Sequence, residues 1–142
     1  MSTFKDPIQE AIIEEFSIFD DWMDKYDYLI GLSESLPPID AAKRTDTYKI
    51  EGCQSKVWVA AEVRDNKMYY SADSDAIITK GIVALLVRVM NERTPQEAAN
   101  IDLYFIDAIG LGENLSPTRS NGLRAMIAQM KLDALLFSKQ NR

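Results

Sequence analysis

The residues predict a mixed fold in which helix and strand are segregated along the chain, with helices at both ends and strands between them. Apolar residues recur at three- and four-residue steps before residue 31 and again after residue 76, the period of an amphipathic helix. Between residues 48 and 72 they alternate instead, the period of a strand. No run of 18 apolar residues interrupts either pattern, so no membrane span is expected.

The first helix opens at Asp6-Pro7, with Asp6 as cap, Pro7 at the first helical position and Gln9 placed for a capping box. Ile8, Ile12, Phe16, Phe19, Met23 and Tyr26 form its stripe. Gly31 is the expected stop, and LPPID beyond it forbids more helix. Residues 41–47 are polar and read as loop. Tyr48 and Ile50 then alternate as a short strand. In VWVAAEVR, Val57, Val59, Ala61 and Val63 share one face, and Trp58, Glu62 and Arg64 share the other. Asp65-Asn66 is a turn, and KMYYSA returns as the next strand.

Helix resumes at DSDAIITKGIVALLVRVMNE, with Asp73 or Ser74 as cap and Ile77, Ile78, Gly81, Leu85 and Val89 as its buried face. A glycine inside a helix is costly, so a neighbouring backbone is expected against Gly81. TPQEAANI reads as a short helix with Pro95 in its first turn. The last helix is expected from about Ser120, with Leu123, Met126, Ile127, Met130, Ala134 and Phe137 on one stripe.

A chain of 142 residues with 46% hydrophobic and 27% charged residues is expected to fold as one domain, 1–142, around its own core. Residues 1–40 carry ten acids and two bases, a net of −8, while residues 41–142 carry twelve acids and fourteen bases, a net of +2. A pI near 4.7 without a basic stripe argues against nucleic acid as a partner. The acidic N-terminal region reads first as a solvated helix face and second as a surface for a basic partner. The opening MSTFKDPIQE has no apolar core, so no secretory signal is expected, and a single cysteine suits a reducing cytoplasm.

The chain has no histidine. That excludes Ser-His-Asp triads, Cys-His pairs, HExxH helices and mixed Cys/His zinc sites. One thiolate does not hold an iron–sulfur cluster within one chain. GLGENL at 110–115 lacks the third glycine of a dinucleotide fingerprint. Asn114-Leu115-Ser116 is a formal glycosylation acceptor followed by Pro117. The adjacent acids Glu14-Glu15 and Asp20-Asp21 point to different helix sides and make no acid/base pair.

Cys53 remains, on a turn after Gly52 and before the VWVAAEVR strand. One reading is a small buried hydrophobe, where free cysteines most often reside. The other is a nucleophile. Gly52 lets the backbone move, and Lys56 stands near enough to favour a thiolate. A thiolate attacks sulfur without a histidine base, so one thiol suffices to carry a sulfur atom.

Gly52-Cys53-Gln54-Ser55 with Val57-Trp58 resembles the signature of the SufE family, sulfur acceptors of iron–sulfur cluster assembly. The resemblance spans nearly the whole chain. Trp22, Lys25, Tyr26, Leu29, Ile30, Leu36 and Pro37 resemble the family's first-helix pattern. Asp73-Ser74-Asp75-Ala76 with Lys80-Gly81 resembles its middle helix, Thr94-Pro95-Gln96 its short one, and Ser116-Pro117-Thr118-Arg119-Ser120 with Gly122-Leu123 and Ala125-Met126-Ile127 its final segment. The sequence departs from the family at Tyr48, where many members carry Asn, and at Ser33, where glycine is frequent.

The resemblance implies an α+β fold similar to the scaffold IscU, an antiparallel three-stranded sheet with helices packed against it. It implies that Cys53 accepts sulfur, as a persulfide, from a SufS-type cysteine desulfurase and passes it to a SufBCD-type scaffold complex, stimulating the desulfurase. Pyridoxal phosphate is expected on that partner only, and this chain is expected to hold no cofactor and no metal. Asp75 is implied in tuning the cysteine loop and docking, and Arg119 in facing the desulfurase. Trp58 and Tyr48 are expected to cover the resting thiol. The expected compartment is the cytoplasm and the expected state a monomer or homodimer. Three alternatives stand beside this reading: a CsdE-like partner of another desulfurase, a single-cysteine thiol peroxidase, and a non-catalytic interaction module.

Overall fold

The structure is a computed structural model that describes residues 5–37, 39–53 and 55–140. Pro38 and Gln54, both part of the sequence reading, lie outside the described residues.

The N-terminal stripe forms two helices and not the single one expected, α1 (Pro7–Ser17) and α2 (Trp22–Ser33). Asp21 causes the break: its side chain accepts from the Asp24 N–H and starts a second helix. Local capping by a short carboxylate therefore overrides the apolar period. Ile12 and Phe16 enter the core, while Met23, beyond the break, is 76% exposed. Asp6 caps α1 as read, accepting from the Ile8 N–H. Gln9 does not return to the Asp6 N–H, which donates to the Tyr104 hydroxyl. Gln9 instead donates to the Asp6 carboxylate and the Asp102 carbonyl and accepts from the Phe105 N–H.

Among the described residues the sheet has two strands, β1 (Val57–Arg64) and β2 (Lys67–Ser74), paired antiparallel from Val57↔Ser74 to Arg64↔Lys67. Asp65 and Asn66 connect them at φ 51 and 61, the left-handed pair of a two-residue hairpin turn that asparagine and aspartate tolerate well. The third strand expected at Tyr48 and Ile50 is a single bridge, Lys49↔Trp58. Val59 N–H donates to the Tyr48 carbonyl and Ile50 N–H to the Val57 carbonyl. A turn at Thr45–Tyr48 and another at Glu51-Gly52 cut the pairing off on either side. The far side of β2 is paired too: Met68 exchanges hydrogen bonds with Glu92 and Arg93, and Tyr70 N–H donates to the Asn91 side chain. Part of each edge of the hairpin is thus occupied by non-strand backbone or the Asn91 side chain, which reduces the exposed pairing groups.

Helix α3 (Ile77–Met90) is the centre of the core. Ile82, Val83, Leu85, Leu86, Val87, Val89 and Met90 are all buried, as expected of a helix covered on every side. Ile77, expected inside, is exposed. Gly81 faces the backbone of α2 at Leu29, the close approach that a glycine here leads one to expect. The expected caps do not form. Asp73 and Ser74 belong to β2, which leaves Ala76 at the cap position without a side-chain bond. Asp73 pairs with Arg44 and Lys80, and Ser74 Oγ accepts from the Ala76 N–H just outside the helix.

Helix α4 (Pro95–Asn100) starts with a full capping box between Thr94 and Glu97. Helix α5 (Phe105–Ala108) is a single turn that buries Phe105. Helix α6 (Pro117–Gln140) begins three residues before the expected start, because Pro117 suits a first turn and Ser116 Oγ caps the Arg119 N–H. Its Leu123, Met126, Met130 and Ala134 are buried. Among the described residues the result is an α+β fold in which a two-stranded antiparallel sheet and six α-helices enclose the core. Among those residues no helix is long and apolar enough to cross a membrane.

Candidate functional site: a thiol on a pinned turn

The cysteine turn hangs between two fixed points. On one side Ile50 is bonded to Val57. On the other, Lys56 N–H donates to the Asp75 carboxylate at 2.9 Å, while the Lys56 carbonyl accepts from the Asp75 N–H at 3.1 Å and the Ser74 hydroxyl at 2.9 Å. Between these anchors Gly52 has φ +94, a conformation that a side chain makes costly. The chain direction therefore reverses at Gly52, and Cys53 turns inward toward α6.

Cys53 is half-buried. Its Sγ–H donates to the Gly122 carbonyl at 3.6 Å, a weak bond of ordinary length for sulfur. A Cβ on Gly122 would lie 3.3 Å from that sulfur, and a Cβ on Gly52 would lie 3.4 Å from the Ala125 Cβ. Gly122 and Ala125 are one helical turn apart, so the turn rests on a flat small-residue face of α6. Burial pushes the thiol above its ordinary pKa. The expectation that Lys56 would hold it as a thiolate is not met, since burial is the dominant influence and disfavours the charged form.

Beside the thiol lies a cavity of about 180 Å³. Ile82 and Met126 form an apolar floor, and Ser55, Thr79 and Arg119 supply polar walls. Thr79 is 6% exposed, and its hydroxyl is 3.5 Å from that of Ser55. The N-terminal ends of α3 and α6 both border this space, through the cap residue Ala76 and through Thr118.

Of the residues singled out in the sequence, Cys53 and Arg119 share this cavity. Asp75 stands behind the turn, exposed and bonded to Lys56. Trp58 and Tyr48 do not cover the thiol. Trp58 is stacked under the Arg44 guanidinium, 4.7 Å from its ring centre. Tyr48 lines a different hollow with Asp133 and Phe137. The cover comes from α6 at Gly122. Sequence reasoning does not assign Gly122 or Thr79 to the site. Gly122 carries the same signal as Gly81, a glycine inside a helix, whereas nothing in the pattern marks Thr79.

A hairpin on a buried helix, with the chain's one thiol on a glycine turn over a small, mostly apolar cavity with polar residues in its wall, defines a single-thiol α+β protein. The family model described as SufE, Fe-S metabolism associated domain, matches residues 10–134. The chain belongs to that SufE family. It is 38% identical over 130 residues to an uncharacterized SufE-like protein of Rhizobium etli, an alignment covering 88% of each chain. It is 36% identical over 130 residues to a SufE-like protein of Rhizobium meliloti, covering 88% of this chain and 93% of that one. A SufE-like protein of Synechocystis sp. is 35% identical over 131 residues, covering 92% and 82%. In fold, the chain is similar to a hypothetical protein from Thermus thermophilus solved in solution, with a TM-score of 0.75 at 20% identity over 92% of this chain and 96% of that one.

Proposed function

We propose that this chain is a sulfur acceptor and carrier in iron–sulfur cluster assembly, with Cys53 as the covalent attachment point. The observation that carries the reading is the position of the chain's single thiol, on a glycine turn pinned at both ends and facing a cavity with room for more than a thiol.

The donor is a cysteine desulfurase of the SufS type, whose pyridoxal phosphate releases sulfur from free cysteine onto the desulfurase's own thiol. The Cys53 thiolate attacks the outer sulfur of that persulfide. The donor's S–S bond breaks, its cysteine leaves as a thiolate, and Cys53 becomes the persulfide. The exchange is redox-neutral and needs no other catalyst. Two half-reactions joined by a covalent intermediate imply ping-pong kinetics, and clearing the donor's persulfide accelerates its next turnover. A SufBCD-type scaffold is the recipient, and the cytoplasm is the compartment.

Burial raises the pKa of the resting thiol and so favours its neutral form. Rotation at Gly52 brings the sulfur out, with Ile50 and Lys56 holding the ends of the turn. In this reading Asp75 keeps the Lys56 anchor in place and Arg119 lines the passage by which the donor persulfide arrives. The free protein therefore alkylates slowly at Cys53, and faster with the desulfurase present.

Mass spectrometry after incubation with desulfurase and cysteine tests the assignment. The wild type gains one sulfur on Cys53, and folded Cys53→Ser gains none. Sulfur on the serine variant, or none on the wild type, overturns the reading. Rapid oxidation of Cys53 by peroxide without sulfur uptake would point to the thiol peroxidase instead.

A further inference from the structure

We propose that the cavity beside Cys53 is a seat for the terminal sulfur of its persulfide, and that the Thr79 hydroxyl, with Ser55 and Arg119, holds that sulfur as an anion. The inference rests on the carrier reading and adds the residues that retain the cargo.

Each sulfur species offers its neighbours something different. A thiol has a proton to donate, and Cys53 gives it to the Gly122 carbonyl. A persulfide anion has no proton, so that carbonyl is no longer a partner for it. Its terminal sulfur needs donors. Thr79, Ser55 and Arg119, which carry two hydroxyls and a guanidinium, line the cavity. Loading thus exchanges one set of partners for another within the same pocket.

Thr79 has the geometry for this role. It is buried, with 6% exposure, and opens onto the cavity from the first turn of α3. Its hydroxyl meets that of Ser55 only at 3.5 Å, well beyond the separation of about 2.7–2.8 Å usual between hydroxyls. A sulfur atom accepting from both satisfies them better than they satisfy each other. The S–S bond places the terminal sulfur roughly 2 Å beyond Sγ. The cavity volume, about 180 Å³, is well above the roughly 10–15 Å³ that holds one water on the same measure, so it has room for an added sulfur. Arg119 and the two helix starts favour negative charge here, while Ile82 and Met126 give the cavity an apolar floor.

Loading with inorganic polysulfide tests the seat independently of any desulfurase. The Cys53 thiolate takes the end sulfur of the polysulfide, which leaves one sulfur shorter with its charge unchanged. Cyanide then removes the sulfane sulfur as thiocyanate and returns the thiolate, and its rate reads how firmly the sulfur is held. Thr79→Val, which keeps the shape and loses the hydroxyl, is expected to release sulfur about tenfold faster, the loss of about one charge-assisted hydrogen bond. It is also expected to raise the pH midpoint of persulfide ionisation, and Thr79→Ser is expected to restore both. Ser55→Ala, with the same two readouts, serves if the valine variant does not fold. Wild-type release rate and ionisation midpoint in the folded variant overturn the proposal, as does a wild type that takes no sulfur from polysulfide. Loading by polysulfide but not by desulfurase would overturn the carrier reading and leave the seat standing.

Discussion

Two helical glycines in this molecule meet their neighbours in different ways. Gly81 on α3 faces α2, where an added Cβ would lie 2.2 Å from the Leu29 carbonyl oxygen and 2.8 Å from its carbon. Gly122 on α6 faces the cysteine turn, where the nearest atom to an added Cβ is Cys53 Sγ at 3.3 Å. Each glycine costs its helix about 1 kcal/mol relative to alanine. At Gly81 the close approach joins two helices of the core through backbone that has no room to retreat. At Gly122 it joins a helix to one side chain on a turn that has a hinge. The first contact supports the fold, and the second holds the thiol in its resting position.

The largest effect is expected at the first of these. Gly81→Ala places a methyl inside the van der Waals envelope of the Leu29 backbone, so α2 and α3 must separate. A loss of about 3 kcal/mol is expected, at the upper end for overpacking, read as a lowered urea midpoint. Folded molecules of this variant should still alkylate at Cys53 as the wild type does. A fully stable Gly81→Ala protein would mean that the two helices slide freely, and the comparison would fail.

Gly122→Ala should behave in the opposite way. Its helix gains up to about 1 kcal/mol in propensity, and the crowded partner is a single sulfur that is free to swing. Stability is expected to stay within about 1 kcal/mol of wild type, while Cys53 alkylates several-fold faster because it is pushed toward solvent. An unchanged alkylation rate would show that α6 does not set the thiol's position.

The smallest effect is in pH dependence. Burial raises the Cys53 pKa in the folded protein, so the folded state favours the neutral thiol. That contribution is complete below the ordinary thiol pKa of about 8.5 and is lost as the pH rises through the raised folded value. The alkylation midpoint of the wild type should therefore lie above that of an unstructured thiol, and Gly122→Ala should bring it back toward the ordinary value. A wild-type midpoint at or below the ordinary value would contradict the burial seen at Cys53.

The same contrast explains what is legible in advance. Gly81 is readable because a costly glycine in an apolar helix has one common cause, a close neighbour. The hairpin is readable because Asp65-Asn66 and the alternation around it are local signals. The N-terminal break escapes the pattern because the stripe runs through it in phase, and only the Asp21 side-chain bond reveals a second start. The third strand is less than its alternation suggests: Tyr48 and Ile50 do pair with β1, but the turns on each side limit them to one bridge. Cys53 stands out as the sole thiol on a glycine turn. Arg119 is named from family resemblance, and its place in the cavity follows from the packing of α6. Thr79 gives no signal, because a threonine near a helix start is common and its value depends on what it faces.

The sequence by itself determined the element types, the hairpin turn, the candidate nucleophile and the chemistries that the lack of histidine excludes. Those follow from local period, turn stereochemistry and composition. Only the tertiary structure decided that burial raises the pKa of the thiol and that Gly122 covers it, that Trp58 and Tyr48 lie elsewhere, and that Thr79 and Arg119 reach the same cavity. Thr79 and Arg119 are 26 and 66 residues from Cys53, on helices whose relative placement is set by the burial of α3. No local rule links residues so far apart. The desolvation that raises the Cys53 pKa is likewise a property of the packed neighbours of the sulfur, which the order of residues does not specify.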